Sequence, residues 1–334
     1  MLYPLVFQPR FKERVWGGRA LERLYHKPLP FGIPIGESWE ISDRPGDVSV
    51  IANGPLAGKD LRWLMEHHSA ELLGSAKSYE GRFPLLIKIL DAREKLSLQV
   101  HPPPAKAAEL AGEPKTEMWY IADAAPDSEL YVGLKRGVTR GEFQRKLQDG
   151  SVADCFHRVR VRAGDAMFLP SGRVHAIGAG LVLFEIQQNS DTTYRVFDWN
   201  RVGLDGKPRD LHIPQSLDSI DFEDYEPPLA QNPWTVCANS GSLKKRSLVS
   251  DTLFKVDVLS ANDSEMPGIT LKSAPGEMKI IGLVSGRLSV ADSTAPFQLG
   301  AGQFCLIPAS VSSADLRFSP GTTFLMATAG DGKS

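Results

Sequence analysis

Short runs of alternating apolar and polar residues recur along the chain, and glycine or proline separates many of them. The 334 residues include 30 glycines and 24 prolines. Side chains of a β-strand point alternately to its two faces, so such runs are typical of strands with one buried face. The pattern predicts a mainly β fold, a sandwich or barrel, with few helices.

The clearest alternation lies in the segment 91–102, DAREKLSLQVHP. As a strand, it would place apolar residues on one face and four polar side chains on the other: Lys95, Ser97, Gln99 and His101. The segment KTEMWY (115–120) likewise puts Lys115, Glu117 and Trp119 on one face. A polar face ordinarily lies in water, and for 91–102 alone that alternative stays open.

Glu185 interrupts the otherwise apolar run LVLFEIQ at 181–187. Burying a charge without a partner costs free energy, so a carboxylate inside an apolar strand needs an ion partner or a functional site. We therefore interpret Glu185 as a candidate site residue.

Three segments carry helical signals. In 59–74 the apolar residues fall at helical spacing, and the segment stops at Gly74. The segment 139–150 opens with Thr139, has Glu142 three residues later in a capping box, and ends at Gly150. A short third helix is predicted within 104–111.

The length of the chain suggests two domains. The segment YEPPLAQNPW (225–234), with three prolines, is the best linker candidate. Beyond it, AGQFCLIP at 301–308 repeats AGDAMFLP at 163–170, and the same count places Ser313 opposite His175. We predict a first domain at 1–230 and a second, degenerate copy without metal ligands at 231–334. Two unrelated strands with similar turns are the alternative.

Charge and cysteine content exclude several classes of partner. A net charge of −2 gives no electrostatic basis for binding nucleic acid or an anionic membrane. The three cysteines lie far apart without a CxxC pair, as in reduced cytoplasmic proteins: Cys155, Cys237 and Cys305. The amino-terminal segment has no basic region of a signal peptide, and PLLIKIL (84–90) is too short to span a bilayer. We expect a soluble cytoplasmic protein, a monomer or homodimer.

Four residues have side chains suited to a shared metal ion: Gln99, His101, Glu117 and His175. Gln99 and His101 are two apart and would project side by side from one strand, with the other two on neighbouring strands. Imidazole nitrogens with carboxylate and amide oxygens suit Zn²⁺, and other first-row metals less specifically. The remaining histidines have no ligand-like spacing and are interpreted as structural: His26, His67, His68, His157 and His212.

The segment 164–175 resembles the second signature of the cupin superfamily, Gly-x5-Pro-x-Gly-x2-His. The matching residues are Gly164, Pro170, Gly172 and His175. Ala179 departs from the signature, which usually ends in asparagine.

The first cupin signature usually supplies His-x-His, whereas this chain has Gln99-Val100-His101, with Glu117 sixteen residues beyond His101. This departure resembles the type I mannose-6-phosphate isomerases in their compact bacterial form. Other stretches agree with that family: WGG (16–18), GESWEIS (36–42), FPLLIKILDAREKLSLQVHP (83–102) and NSDTTYRVFDWNR (189–201).

The resemblance implies two cupin barrels in tandem, each a double-stranded β-helix or jelly roll. It implies an isomerase that interconverts mannose 6-phosphate and fructose 6-phosphate by proton transfer through an enediol-type intermediate. One Zn²⁺ per chain would be held by Gln99, His101, Glu117 and His175. The implied catalytic residues are Arg195, Lys115 and Glu185, and the implied substrate-binding residues are Lys88, Ser97 and Trp16.

Several alternatives stay open. Four protein ligands also fit a purely structural metal. A salt bridge to Asp191 or Asp198 is the alternative role of Arg195. A different metal-dependent cupin enzyme acting on a sugar phosphate, such as an oxygenase, would more commonly use three histidines and iron. A non-catalytic cupin that binds a sugar phosphate should have lost metal or charged residues, and the first β unit has lost none. The general base is not assigned.

Overall fold

The computed structural model describes residues 2–237, 240–261, 268–272, 276–291 and 296–331. The protein is mainly β, as predicted, and its paired strands run antiparallel.

The strands up to residue 200 are β1 (Arg10–Gly18), β2 (Ile35–Ile41), β3 (Leu85–Ala92), β4 (Leu98–Val100), β5 (Glu117–Ala124), β6 (Glu129–Leu134), β7 (Phe156–Arg160), β8 (Ala166–Leu169), β9 (His175–Ile177), β10 (Leu181–Gln188) and β11 (Tyr194–Phe197). The helices are α1 (Ala20–Tyr25), α2 (Leu61–Leu73), α3 (Pro104–Ala107), α4 (Arg140–Asp149) and α5 (Ile213–Ser219), with a 3₁₀ turn at Val152–Cys155. The later strands are β12 (Thr235–Cys237), β13 (Ser240–Ser250), β14 (Phe254–Ala261), β15 (Gly268–Lys272), β16 (Lys279–Ser285), β17 (Arg287–Ala291), β18 (Phe297–Gly300), β19 (Phe304–Ile307), β20 (Ser313–Phe318) and β21 (Thr323–Ala329).

The described chain forms two pairs of sheets whose corresponding strands follow the same order, except that β11 at the edge of the first smaller sheet has no counterpart among the described strands of the second. In the first pair, a large sheet β1-β2-β3-β10-β5-β8 faces a smaller sheet β11-β4-β9-β6-β7. In the second pair, a large sheet β12-β13-β14-β21-β16-β19 accompanies a smaller sheet β15-β20-β17-β18. The two large sheets therefore have the same strand order, and the four strands of the second smaller sheet follow the order of β4, β9, β6 and β7 in the first.

The repeated octapeptide occupies equivalent positions in the two pairs. AGDAMFLP contains β8 and AGQFCLIP contains β19, and each strand is the last in its large sheet. β9 begins at His175, and β20 begins at Ser313. This correspondence supports the repeat over two unrelated strands. The boundary at residue 230 and the closure of two separate barrels remain predictions.

The three predicted helices are present. α2 begins after Asp60, whose side chain accepts a hydrogen bond from the Trp63 N–H at 2.7 Å. α4 begins after Thr139, which caps the Glu142 N–H at 3.2 Å, and ends at Gly150 in the left-handed region. α3 lies within the predicted segment 104–111. α1 and α5 span six and seven residues, too few for a periodic pattern to be recognised.

Apolar residues divide into an outer and an inner layer around the first large sheet. Its outer face, including Ile87, Ile89 and Phe184, packs with Val256 and Ile280 from the second large sheet. The two large sheets are therefore joined by one continuous core.

Inside the first pair, a second cluster fills one end of the space between the sheets, with Leu90 and Leu183 facing Val132 and Ile177. The other end of that space is polar, because β3, β5 and β10 turn charged residues inward there. This division positions the candidate site.

The amino-terminal segment belongs structurally to the second large sheet. Leu5 and Leu306 exchange two backbone hydrogen bonds of 2.8 Å, which extends the sheet beyond β19. Across the described residues, the helices are too short and too polar for any of them to span a membrane.

Candidate metal centre and active-site cavity

Three of the predicted metal ligands meet inside the first pair of sheets. Glu117 lies at the start of β5, His175 at the start of β9, and His101 directly after β4. One potential ligand atom from each residue lies within 4.8 Å of the other two. His175 Nε2 is 3.3 Å from Glu117 Oε1, and His101 Nε2 is 3.6 Å from the same oxygen.

Gln99 joins this cluster through strand pairing. It lies opposite His175 in the pairing of β4 with β9, and its side-chain amide is 3.2 Å from His175 Nε2. A half-turn of the amide would direct its oxygen, a metal ligand, to the same place. The structure thus brings together the four residues that the sequence predicts to share an ion.

Backbone carbonyls fix the orientation of both imidazoles. His101 Nδ1 lies 2.8 Å from the carbonyl oxygen of Thr192, and His175 Nδ1 lies 2.9 Å from that of Arg173. Since a carbonyl oxygen accepts but does not donate, each Nδ1 carries a proton. Each Nε2 then directs a lone pair toward Glu117, the arrangement of a histidine prepared to bind a metal.

The electrostatics of the cluster favour neutral histidines and an ionised glutamate. Burial and the charge of Lys115 lower the pKa of His101 to about 3. Burial also lowers the pKa of His175, although Glu117 opposes that shift. Burial alone would raise the pKa of Glu117, but Lys115, at 2.9 Å, keeps that pKa well below its usual range. These protonation states are those that metal ligands require.

The protein residues alone do not satisfy the cluster. His101 Nε2 and Glu117 Oε1 are buried and lack a hydrogen-bond partner among the described residues. Two acceptors facing each other without a proton between them would be destabilising, whereas a divalent cation would satisfy both. Two imidazoles, one carboxylate and one amide oxygen fit Zn²⁺ chemically.

A cavity of about 580 Å³ opens beside the cluster. Gln99 borders it and connects it with the buried histidines. Every predicted catalytic and substrate-binding residue lines this cavity: Trp16, Lys88, Ser97, Lys115, Glu185 and Arg195.

Glu185 has the partners that its position in an apolar strand requires. Lys88, its neighbour across β3 and β10, places Nζ 3.3 Å from Glu185 Oε1, and the Trp119 indole donates to Oε2 at 2.9 Å. Burial and the charge of Glu117 raise the pKa of Glu185. The pKa of Lys115 is also raised, because Glu117 and Glu185 outweigh the effect of its burial.

Arg195 lies across from Gln99 in the pairing of β11 with β4. Its Nη1 donates to the Asp210 carbonyl at 2.7 Å. In the described part of the chain it forms no ion pair with Asp191 or Asp198. Asp198 instead pairs with two other arginines, so the salt-bridge alternative for Arg195 is wrong.

The predicted polar face extends too far toward the amino terminus. β4 begins at Leu98, and Lys95 lies outside the cavity with Nζ 3.6 Å from the centre of the Trp199 ring. Lys95 therefore does not lie on the inward face of a strand, as the alternation predicts, but forms a cation–π contact with Trp199.

Further cavity residues were not predicted. Arg14 lies two residues before Trp16 on β1, a spacing that could have identified it, and its Nε is 2.8 Å from Glu37. Glu37, the partner of Arg14, also lines the cavity. A turn at 203–209 adds Leu204 and Arg209 to the lining. This turn has no periodic pattern from which its position could be inferred.

The comparisons with known proteins agree with this geometry. Residues 5–146 match the family described as phosphomannose isomerase type I, catalytic domain. The mannose-6-phosphate isomerase ManA of Bacillus subtilis is 42% identical over 225 residues, covering 65% of this chain and 68% of that protein. The mannose-6-phosphate isomerase of Streptococcus mutans is 34% identical over 314 residues, covering 94% of this chain and 95% of that protein.

Among solved structures, the mannose 6-phosphate isomerase of Bacillus subtilis superposes with a TM-score of 0.86 at 29% identity, covering 98% of this chain and 99% of that one. The strand order and the structural match define a cupin fold, and its buried histidine–carboxylate cluster is a candidate metal site. The chain belongs to the type I phosphomannose isomerase family.

Proposed function

We propose that this protein is a zinc-dependent isomerase that interconverts mannose 6-phosphate and fructose 6-phosphate. The observation that carries the proposal is the buried cluster of His101, Glu117 and His175 at the inner end of a charged cavity. The names of its relatives from Bacillus subtilis and Streptococcus mutans supply the substrate.

Gln99, His101, Glu117 and His175 would hold one ion per chain. When bound, the ion would supply Lewis-acid stabilisation of negative charge on the sugar oxygens. Gln99 borders the cavity, which favours a catalytic ion over a purely structural one. The Nδ1–carbonyl bonds of both histidines would keep the ligand atoms oriented in the absence of substrate.

Proton transfer between the first two carbons of the sugar needs a group that accepts and returns a proton. Glu185 suits this task, because its raised pKa gives the carboxylate a greater proton affinity than an exposed glutamate has. Lys88 and the Trp119 indole hold the two oxygens of this carboxylate. We therefore assign the exchanged proton to Glu185.

Lys115 and Arg195 would act as cations. The raised pKa of Lys115 keeps its ammonium protonated, so it would donate hydrogen bonds but would not accept a proton. Arg195, across from Gln99, would stabilise the charge that develops near the reacting carbons. Lys88, Ser97 and Trp16 would position the sugar along the cavity wall.

The other candidate functions have less support. An iron oxygenase of the cupin superfamily would ordinarily use three histidines, whereas the cluster here contains two. A non-catalytic binding protein would not need the paired charges of Lys88, Glu185, Lys115 and Glu117. The strands after residue 230 would serve a structural role, because their sheets pack against the first pair and carry no equivalent cluster in the described part.

The proposal is tested by metal analysis of the purified protein together with a coupled assay for fructose 6-phosphate. We expect about one zinc per chain and turnover of mannose 6-phosphate that a chelator abolishes and added zinc restores. A protein that contains zinc but does not turn over mannose 6-phosphate would contradict the assignment.

A further inference from the structure

The two histidines of the candidate metal centre are oriented by different parts of the chain. His175 uses the carbonyl of Arg173, which lies just before β9. His101 uses the carbonyl of Thr192, which is 91 residues away in the connection between β10 and β11. The direction of the His101 imidazole therefore depends on how that connection, residues 189–193, is held in place.

This connection is polar in sequence but largely buried in the structure. Asn189 and Ser190 are fully buried, and Asp191 is exposed. Buried backbone groups outside a strand or helix need other hydrogen-bond partners, which side chains can supply. The connection between β10 and β11 should therefore be fixed by polar side chains that reach it from neighbouring elements.

Gln187, near the end of β10, supplies two of these hydrogen bonds. Its side-chain Nε2 donates to the carbonyl oxygen of Ser190 at 2.6 Å and to that of Gln188 at 2.9 Å. Gln187 is fully buried and lies directly across from the candidate ligand Glu117 in the pairing of β10 with β5. One amide thus joins the strand beside Glu117 to the connection that orients His101.

Ser190 continues this hydrogen-bond path to Thr192. Its Oγ accepts a hydrogen bond from the Thr192 N–H at 3.3 Å and donates one to the Glu113 carbonyl at 3.3 Å. The Glu113 N–H in turn donates to Thr192 Oγ1 at 2.9 Å. Thr192 is therefore held by both its N–H and its side chain, which fixes the direction of the carbonyl that His101 uses.

Stability alone does not account for a glutamine at position 187. The Oε1 of Gln187 is buried and has no hydrogen-bond partner among the described residues. A buried acceptor without a partner is destabilising, and an apolar side chain of similar length would avoid that cost. What the amide contributes is its two donated hydrogen bonds, and both end on the backbone that leads to Thr192.

We propose that Gln187 is a positioning residue of the metal centre: through Ser190 and Thr192 it fixes the direction in which His101 presents its Nε2 to the ion. The inference rests on the proposed function for the presence of a metal, and on the hydrogen-bond path for the role of Gln187. An imidazole whose other nitrogen is firmly held loses less freedom when the metal binds, so the metal binds more tightly.

The test compares Gln187→Met with Asn53→Leu in the full-length protein, with Zn²⁺ and Co²⁺ as probes. Asn53 is a matched control because its side chain also binds two backbone groups: it accepts from the Val6 N–H at 2.9 Å and donates to the Pro4 carbonyl at 3.0 Å. Both partners belong to the amino-terminal segment. Zinc affinity is measured by competition with a chelator, cobalt coordination by the visible absorption spectrum, and folding by the melting temperature.

For Gln187→Met we expect zinc affinity to fall about 10- to 100-fold, the usual cost of removing a group that orients a metal-binding histidine. The visible spectrum of the cobalt-loaded variant should shift, because the angle of His101 around the ion changes. Asn53→Leu should lower the melting temperature but keep the zinc affinity and the cobalt spectrum. Ser190→Ala removes only the longer hydrogen bonds of the path, so it should lower zinc affinity less than Gln187→Met does.

Wild-type zinc affinity and an unchanged cobalt spectrum in Gln187→Met would overturn the proposal and leave the proposed function intact. An equal loss of zinc affinity in Asn53→Leu would also overturn it, because it would indicate a general effect of destabilisation. If Gln187→Met does not fold, Ser190→Ala decides, and wild-type zinc affinity in that variant would overturn the proposal.

Neither the chelator competition nor the cobalt spectrum needs turnover. A wild-type protein that binds zinc but does not isomerise mannose 6-phosphate would reject the proposed reaction. A loss of zinc affinity in Gln187→Met, without one in Asn53→Leu, would still support the positioning role in that case.

Discussion

The two pairs of sheets share one strand order, apart from β11, but differ at every candidate metal-ligand position that can be compared. By strand register, Gln99 and His175 in the first pair correspond to Lys272 and Ser313 in the second. Glu117 lies opposite Leu169, and Lys279 lies opposite Ile307 at the matching position of the repeated octapeptide. The same backbone positions thus carry candidate ligands in one copy and two lysines and a serine in the other.

The comparison is sharpest at one ion pair, which is reversed between the copies. In the first pair of sheets Lys115 precedes Glu117, with 2.9 Å between the charged atoms. In the second, Glu277 precedes Lys279, also at 2.9 Å. A lysine in place of Glu117 puts positive charge where a metal ion would bind. The fold therefore tolerates either order, and the order decides whether a cation site can exist.

The largest expected difference between the copies is in the loss of zinc and turnover when a candidate metal-binding residue is replaced. His101→Ala should lose bound zinc and reduce turnover at least about 1,000-fold, since Lewis-acid stabilisation contributes several kcal/mol. Ser313→Ala, at the position of the second copy that corresponds to His175, should retain zinc and activity. Metal analysis and steady-state kinetics on both proteins check this prediction. Activity in zinc-free His101→Ala would remove the functional contrast between the two copies.

Arg195→Ala should keep the metal and the fold but reduce kcat about 100- to 1,000-fold, the usual cost of removing one group that stabilises developing charge. Arg317, an exposed residue of β20 on the smaller sheet of the second pair, offers the control Arg317→Ala, which should leave kcat unchanged. Kinetics with zinc measured in the same samples test this. A near wild-type kcat for Arg195→Ala would reject its assignment.

Acid stability should depend on Glu37, a cavity carboxylate of the first pair. Burial would raise its pKa, but Lys88 and Arg14 lower it to about 2. A depressed pKa stabilises the fold above the ordinary value near 4.5 and loses that contribution as the pH falls toward 2.

The predicted loss is about 3 kcal/mol of unfolding free energy between those pH values, because the pKa of Glu37 is lowered from its ordinary value to about 2. Denaturant unfolding across this range should show a shallower pH dependence in Glu37→Gln. Asp257→Asn removes a more exposed ion pair with Lys245 in the second pair of sheets, and it should leave the pH dependence of the unfolding free energy close to that of the wild type. Parallel curves for wild type and Glu37→Gln would contradict the assignment.

The smallest effect on stability should come from breaking the ion pair between Glu277 and Lys279. Lys279→Met should lower the free energy of unfolding by only about 1 kcal/mol, because its partner Glu277 is partly exposed and can be hydrated once the lysine is removed. Metal content and activity should stay at wild-type values. Chemical denaturation and the isomerase assay check both parts; a loss of zinc in this variant would mean that the copies are functionally coupled.

Much of the site could be predicted from sequence because its residues lie on regular strands. The alternation from Ser97 to His101 and from Lys115 to Trp119 identifies the inward face, and register then brings Gln99 beside His175. The octapeptide repeat predicts the second copy for the same reason.

The errors and omissions fall where regular structure ends. Lys95 precedes the start of β4, so the alternation no longer applies to it. Arg209 reaches the cavity from an irregular turn, and only its contacts with Asp198 reveal its direction. The position of such a residue depends on tertiary packing, which a local pattern does not encode.

The backbone bridge between Leu5 and Leu306 has a consequence for biogenesis. These residues lie near opposite ends of the described chain. During synthesis on the ribosome, the bridge therefore cannot form until Leu306 has been translated. Until then, the apolar face that includes Ile87, Ile89 and Phe184 has no opposing sheet. Chaperone binding or self-association of the nascent chain would be expected at that face, and premature termination would leave it permanently uncovered.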